Sequence, residues 1–284
     1  MGLLGLSTKR PRPPLCDPAT GRRYDEGFEW PRRNLKAALQ AIEALGADPD
    51  RTDAVGDLLA NTGGKACRNL FRRVIEDPEG RRILMERRNL LKALADREHL
   101  SQLPLGTLGR DYYEWTAARG FTATELAEFV DRRDRSFPSE AHVFDARIVD
   151  MHDLWHVLGG WGSDLYGEMH LLGCSYAQLR NPGWLIMGVL FNLTLASVGR
   201  VEGIGYFARA WAIGYRAKLL VGVDWEHMLT LPTAEVRRLV GMPEPKPYRK
   251  LDRDEWQQLQ ARSLFFHVMK RLIGSRASTA DSRA

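Results

Sequence analysis

The chain has 284 residues, 44% of them apolar and 27% charged, with 41 Lys and Arg against 36 Asp and Glu for a formal net charge of +5. That composition excludes a collagenous, disordered or disulfide-stapled chain, since only 3 cysteines (Cys16, Cys67 and Cys174) are present and they lie far apart. The modest positive balance suits anionic ligands, anionic membrane surfaces or nucleic acid, without choosing among them.

The opening stretch, MGLLGLSTKRPRPP, puts its basic residues after a very short apolar run, the reverse of a secretory signal. Position 6 is Leu where a myristoylation pattern needs Ser or Thr. Together with the cysteine usage, this predicts a reducing, cytoplasmic location. Residues 1–33 are rich in proline and arginine and read as an irregular basic arm. From there the punctuation is helical. In PRRNLKAALQAIEALG, Pro31 stands near a helix start and Gly46 just past the end. The basic run 65–92 predicts helices whose charges face either water or anionic lipid. Nucleic acid is not expected, because no recognised binding motif or interleaved aromatics accompany the charge. Within this run, Asp77 is a predicted N-cap with Pro78 in the first turn. Thr122 and Glu125 form a predicted capping box.

Farther along, Val143, Phe144, Ile148, Met151, Trp155 and Leu158 recur at helical spacing and predict one helix over 143–158. The longest apolar run, Trp184 to Val198, is broken by Asn192, Thr194 and Ser197 and falls short of the about 20 residues a membrane span needs. It reads as a buried helix. Residues 241–250 (GMPEPKPYRK) read as a Pro-rich basic connector. Behind it, Trp256, Leu259, Phe266 and Met269–Leu272 trace a stripe that predicts a helix packing back on the core. The competing reading is an amphipathic segment touching a membrane surface with the help of Lys246, Arg249 and Lys250. The final residues, 274–284, have the composition of a disordered tail. No sustained alternation builds a sheet, so the expected fold is all-α, a single helical domain.

One stretch concentrates chemistry: MHDLWHVLGGWGSDLYGEMH, residues 151–170. On a helix, His152 and His156 lie one turn apart on one face, with Asp153 about 100° round from His152. Gly159 and Gly160 supply a stop and Ser163 a cap for the next helix, so an antiparallel hairpin carries Glu168 back toward the imidazole pair. Two imidazoles and one or two carboxylates suit a divalent cation of the borderline class (Zn, Fe, Mn and Co are not distinguished), able to do Lewis-acid work or oxygen chemistry. HxxxH alone is equally at home on an ordinary helix. The added carboxylates argue for a site, because burying several ionisable groups without a partner is costly. A zincin would need Glu where Asp153 stands, and the Glu-x-x-His pairs of di-iron bundles are absent from the sequence. His170, two residues past Glu168, faces roughly away and reads as a structural histidine; Asp164 reads as a bystander.

His152-Asp153-x-x-His156 followed by Glu168 resembles the HDxxH…E signature of the coenzyme Q (ubiquinone) biosynthesis proteins of the "Coq-four" family. LPLGTLGRDYYEW (103–115) resembles the segment that precedes that motif, and GYRAKLLVGVDWEHMLTLPTAEVRRLVGMP (214–243) resembles the family's downstream region. The resemblance covers roughly residues 35–245, which delimits a domain at 34–245, with the connector, amphipathic helix and tail at 246–284 outside it. It departs at YRAK (215–218), which leaves an anion-binding role for Arg216 or Lys218 unsupported. What the resemblance implies is an all-α fold with a metal-binding helical hairpin and an apolar lipid cavity, walled here by 184–198 and the glycine-spaced 199–215. It implies a divalent metal held by His152, Asp153, His156 and Glu168, which would be the catalytic residues, with Asp153 either a fourth ligand or the partner of an imidazole. The implied ligand is a polyprenylated quinone precursor, and the implied location is peripheral, on the inner face of the cell membrane. Other ubiquinone biosynthesis proteins and a second copy of the chain are the implied partners. The implied activity is removal of the C1 carboxyl group of a prenylated benzoate ring, with oxygen put in its place. The alternatives are a non-catalytic lipid-binding scaffold and an HD-type metal-dependent phosphohydrolase, which would need a further upstream histidine that His142, ten residues away, supplies poorly.

Overall fold

The computed structural model describes residues 15–47, 51–120, 138–268 and 271. The Thr122–Glu125 capping box, residues 1–14 of the arm, the Met269–Leu272 end of the last stripe apart from Arg271, and the tail at 274–284 lie outside the described residues. Helices run at α1 (Leu35–Ala47), α2 (Thr52–Gly63), α3 (Lys65–Glu76), α4 (Pro78–Met85), α5 (Leu90–Ala95), α6 (Arg97–Gln102) and α7 (Leu108–Ala117). They continue as α8 (Glu140–Asp150), α9 (His152–Gly159), α10 (Leu165–Leu179), α11 (Pro182–Ala196), α12 (Glu202–Arg216), α13 (Trp225–Met228), α14 (Thr233–Val240) and α15 (Arg253–Arg262). Among the described residues the strand-like pairings are two isolated bridges, Cys16 with Arg23 and Thr107 with Pro232. The fold is all-α and forms a single helical domain.

Several local expectations hold and others shift. Asp77 caps α4, accepting from the Gly80 N–H at 2.8 Å with Pro78 at the first helical position. The start of α1 belongs to Asn34, whose side chain accepts from the Ala37 N–H at 3.1 Å. Gly46 lies inside the last turn instead of beyond it. Residues 15–34 carry no helix, as expected, but they are not loose. Tyr24 and Asp25 are buried, Arg22 pairs with the buried Glu140, and Trp30 packs against Phe71 with ring centroids 5.2 Å apart. The basic run is partly consumed internally, since Arg82 and Arg88 grip Asp224 at 3.0 and 2.7 Å. Those bonds and charges overcome the upward push of burial and hold Asp224 below the usual carboxylate range.

The main core gathers α3, α8, α9 and the segment from Leu220 to Leu229 around Phe71, Phe144, Trp155 and Trp225. Arg147 of α8, fully buried, clamps this layer by reaching Glu226 at 2.6 Å and the Val223 carbonyl at 3.1 Å. The widest helix interface joins α10 to α12. It is close enough that a Cβ on Gly173 would stand 2.3 Å from the Phe207 carbonyl oxygen, and one on Gly214 2.9 Å from the Cys174 carbonyl. Helix α15 packs back on the core through Trp256 and Leu259, which are buried beside Tyr166 and Leu195.

The expected buried helix at 184–198 needs correction. It forms as α11, but it buries only Gly183, Met187, Gly188, Thr194 and Leu195, while Val189 and Leu193 are exposed. On the neighbouring α12, Ile204, Trp211 and Tyr215 are also exposed. Apolar composition told where a helix forms; it did not tell whether its outer face meets core, water or a partner. No helix among the described residues is long and apolar enough to cross a membrane.

Candidate metal centre

The hairpin begins with a departure from expectation, since 143–158 is two helices and not one. At Met151 the backbone takes φ −83° and ψ −2°, near the bridge region, where α8 ends and α9 starts. The hydrogen-bond ladder nonetheless spans the joint, from Met151 N–H to Arg147 and from Trp155 N–H to Met151. His152 and His156 therefore remain one turn apart, with ring centroids separated by 5.0 Å.

A Schellman arrangement closes α9. The Trp161 N–H reaches the His156 carbonyl at 2.9 Å, the Gly160 N–H reaches Val157 at 3.2 Å, and Gly160 sits at φ +64°. The next cap is Asp164 and not Ser163. Its side chain accepts from the Tyr166 and Gly167 N–H groups, both at 3.2 Å. It also accepts from the Tyr248 hydroxyl at 2.5 Å and the Leu251 N–H at 3.1 Å. The residue read as a bystander is thus the joint that ties the hairpin to the C-terminal connector.

The turn brings Glu168 of α10 to His156, with Oε1 3.3 Å from Nε2. His152, His156 and Glu168 each offer one atom within 4.8 Å of the others. Buried His156 has no hydrogen bond on either ring nitrogen. Such an orphaned imidazole calls for a partner, and a neutral imidazole among two further donors is what a borderline divalent cation binds. The residues fit a metal. Asp153 stands apart from the three. It bonds His152 Nδ1 at 2.9 Å, the arrangement that fixes a tautomer and leaves Nε2 its lone pair.

The electrostatics agree among the three groups. Burial pushes Asp153 upward, but the His152 bond and the charges of His152, His156 and Arg119 hold its carboxyl below the ordinary range. Burial pushes Glu168 upward as well, and His156 and His152 more than offset it, so it too stays ionised. Burial would lower His152, and its bond to Asp153 with the charges of Asp153 and Glu168 raises it instead. Trp115 of α7 stacks on His156 with centroids 5.2 Å apart, and the Arg119 guanidinium lies 4.1 Å from the Trp115 ring. These two, with Lys250, enter the site from distant parts of the chain. No spacing signal ties them to the HDxxH stretch.

Other candidates fall elsewhere. His142 bonds Ser139 Oγ at 2.8 Å and meets Phe28 edge-on, outside the three-residue group. His170 is buried between Trp161 and Tyr206, nearly parallel to both, and its Nδ1–H donates to the Tyr166 carbonyl at 2.7 Å. Burial holds its imidazole below the ordinary histidine range. The folded state therefore resists the proton that the unfolded chain accepts, so His170 contributes stability above pH 6.5 that drains away as pH falls toward the folded value. The expected result is that wild-type Tm drops more steeply below pH 6.5 than that of His170→Phe, which keeps the ring stack. Equal slopes in differential scanning calorimetry would refute this assignment.

The profile of the family described as "Coenzyme Q (ubiquinone) biosynthesis protein Coq4" matches residues 28–246. The chain is similar to the "Ubiquinone biosynthesis protein COQ4 homolog, mitochondrial" of Danio rerio, 30% identical over 237 residues covering 80% of this chain and 84% of that protein. It is also similar to the "Ubiquinone biosynthesis protein COQ4, mitochondrial" of Yarrowia lipolytica, 29% identical over 210 residues covering 70% and 77%. A solved structure from Nostoc punctiforme superposes with a TM-score of 0.56 at 21% identity, covering 74% of this chain and 98% of that one. That likeness concerns the fold.

Proposed function

The chain belongs to the Coq4 family of coenzyme Q (ubiquinone) biosynthesis proteins, and within that pathway we propose that it is a metal-dependent enzyme acting on a polyprenylated benzoate-type precursor. The reaction is oxidative decarboxylation: the C1 carboxyl group leaves as carbon dioxide, one atom of dioxygen takes its place on the ring and the other leaves as water, with the two electrons for that water supplied by the ring itself, which is released at the quinone level. The observation that carries this reading is the buried His156 imidazole, without hydrogen bonds, converging with His152 and Glu168. His152, His156 and Glu168 would hold a divalent cation, and Asp153 would hold the proton on His152 Nδ1, keeping Nε2 aimed at it. Such a cation, when bound, would supply Lewis acidity that draws electron density from the ring carboxylate. Trp115 shields one side of His156 and keeps the ring from turning.

The prenyl tail is assigned to α11 and α12, whose exposed Val189, Leu193, Ile204 and Trp211 offer it an apolar path. The same face suits peripheral attachment to the inner surface of the cell membrane, where such lipids reside. It also favours a second reading, a non-catalytic scaffold that presents the lipid to other ubiquinone biosynthesis proteins or to a second copy of this chain. One preparation separates the two. Metal analysis, lipid extraction and single-turnover assays with a prenylated 4-hydroxybenzoate and oxygen are run on the same sample. Stoichiometric metal with conversion to the decarboxylated ring carrying oxygen at C1, at the quinone level, is the expected result. Metal and bound isoprenoid with no conversion under any of iron, manganese, zinc or cobalt would leave the scaffold.

A further inference from the structure

A pocket of about 320 Å³ opens beside His156, lined by Trp115, Arg119, His156, Trp161 and Lys250 together with Asp111 and Glu114. Lys250 is the outlier. It lies on the Pro-rich connector, beyond residue 246 where the family match ends. The connector is seated over the turn that follows His156. Pro245 presses on Gly160, where a Cβ would stand only 2.4 Å from the proline ring. The Tyr248 hydroxyl accepts from the Gly162 N–H at 2.7 Å and donates to Asp164 at 2.5 Å. The Leu251 backbone is tied to this hairpin twice, its N–H donating to the Asp164 side chain (Oδ1) at 3.1 Å and its carbonyl accepting from the Leu165 N–H at 3.0 Å. Lys250 is therefore held between two anchors, Tyr248 and Leu251, at the mouth of a pocket walled by a candidate metal ligand.

The charges in this pocket are uneven in availability. Asp111 is committed to the Thr233 hydroxyl at 2.5 Å and Glu114 to Arg110 at 2.8 Å. Arg119 is fixed by Ser163 and the Trp115 carbonyl, at 3.1 and 2.8 Å, and its guanidinium lies against the Trp115 ring. Among the described residues neither Arg119 nor Lys250 forms an ion pair with a carboxylate. Two cations beside an apolar aromatic wall suit a ligand that is planar, apolar in its body and anionic at one end.

We propose that Lys250, carried across the pocket by the connector, and Arg119 receive the carboxylate of an aromatic acid substrate and orient it against His156. This deepens the decarboxylase reading and rests on it only for the identity of the substrate. Lys250 is a substrate-binding residue. The end of the connector beyond residue 246, outside the family match, then becomes part of the site.

The test uses the full chain stripped of metal, titrated calorimetrically with 3-prenyl-4-hydroxybenzoate and with 2-prenylphenol, the same molecule without its carboxylate. Wild type is expected to prefer the acid by about five- to tenfold, the scale of one charge-assisted contact. Lys250→Gln is expected to erase most of that preference while leaving the phenol's affinity unchanged, and Lys250→Arg to restore it. No acid preference in wild type, or an undiminished preference in Lys250→Gln, overturns the proposal. Because these arms contain no metal and read no turnover, failure of the decarboxylase reading would leave the acid preference standing. Conversely, an active enzyme indifferent to Lys250→Gln would defeat this proposal alone.

Discussion

His156→Ala is expected to leave a folded protein without metal and without turnover. Three donor atoms lie within 4.8 Å of one another, and His156 is the buried one. Loss of a residue that merely supports a ligand lowers metal affinity by about 10–100-fold, and loss of the ligand itself exceeds that. Metal analysis after dialysis should find a small fraction of the wild-type content. Folding should survive, because the deletion removes two ring nitrogens that burial leaves without hydrogen bonds, and this gain offsets part of the cost of the cavity under Trp115. Circular dichroism checks that point independently of activity. Asp153→Asn separates the two roles open to Asp153. As the partner of His152 it should weaken metal binding by about 10–100-fold and leave stoichiometry at one. A His156→Ala protein that retains metal and converts the prenylated acid at the wild-type rate would end the metal reading.

The second large effect concerns the fold. Gly173→Ala is expected to lower stability by about 2–3 kcal/mol, at the upper end of overpacking costs. The added methyl would meet the Phe207 carbonyl oxygen at 2.3 Å and the Trp211 nitrogen at 3.1 Å. Both are backbone atoms of α12, so no side-chain rotation relieves the clash and the two helices must part. Gly205→Ala, on α12, provides the control. Nothing lies within 4 Å of its Cβ position, and alanine's helix propensity should raise stability by up to about 1 kcal/mol. Thermal melts of the two variants should therefore move in opposite directions. A Gly173→Ala protein as stable as wild type would contradict the close α10–α12 approach.

Much of the candidate site was legible because its signals are local. Histidines four apart on a helix must share a face. Two glycines must stop that helix, and a short turn must return the chain, so Glu168 arrives within reach of His156 from spacing alone. Asp77 and Pro78 announce α4 for the same reason, since a cap acts over one turn. The near misses are local too. Asp164 took the capping role expected of Ser163, because a carboxylate one residue away competes well for the same N–H groups, and Asn34 caps α1 three residues beyond Pro31.

What the sequence determined by itself was the all-α class, the hairpin and a set of four residues, His152, Asp153, His156 and Glu168, able to converge in it, since each follows from periodicity and turn chemistry within some twenty positions. The tertiary structure alone decided the rest. It assigned Asp153 to His152, made Asp164 a joint, broke the helix at Met151, and left the outer face of α11 exposed. It also brought Trp115, Arg119 and Lys250 to one pocket from α7, the turn after it, and a connector more than 130 residues farther along the chain. The physical reason is the same in each case. Hydrogen-bond partners and burial depend on which distant segments pack together, and a helix's apolar face reads identically in sequence whether it meets the core, a lipid or water.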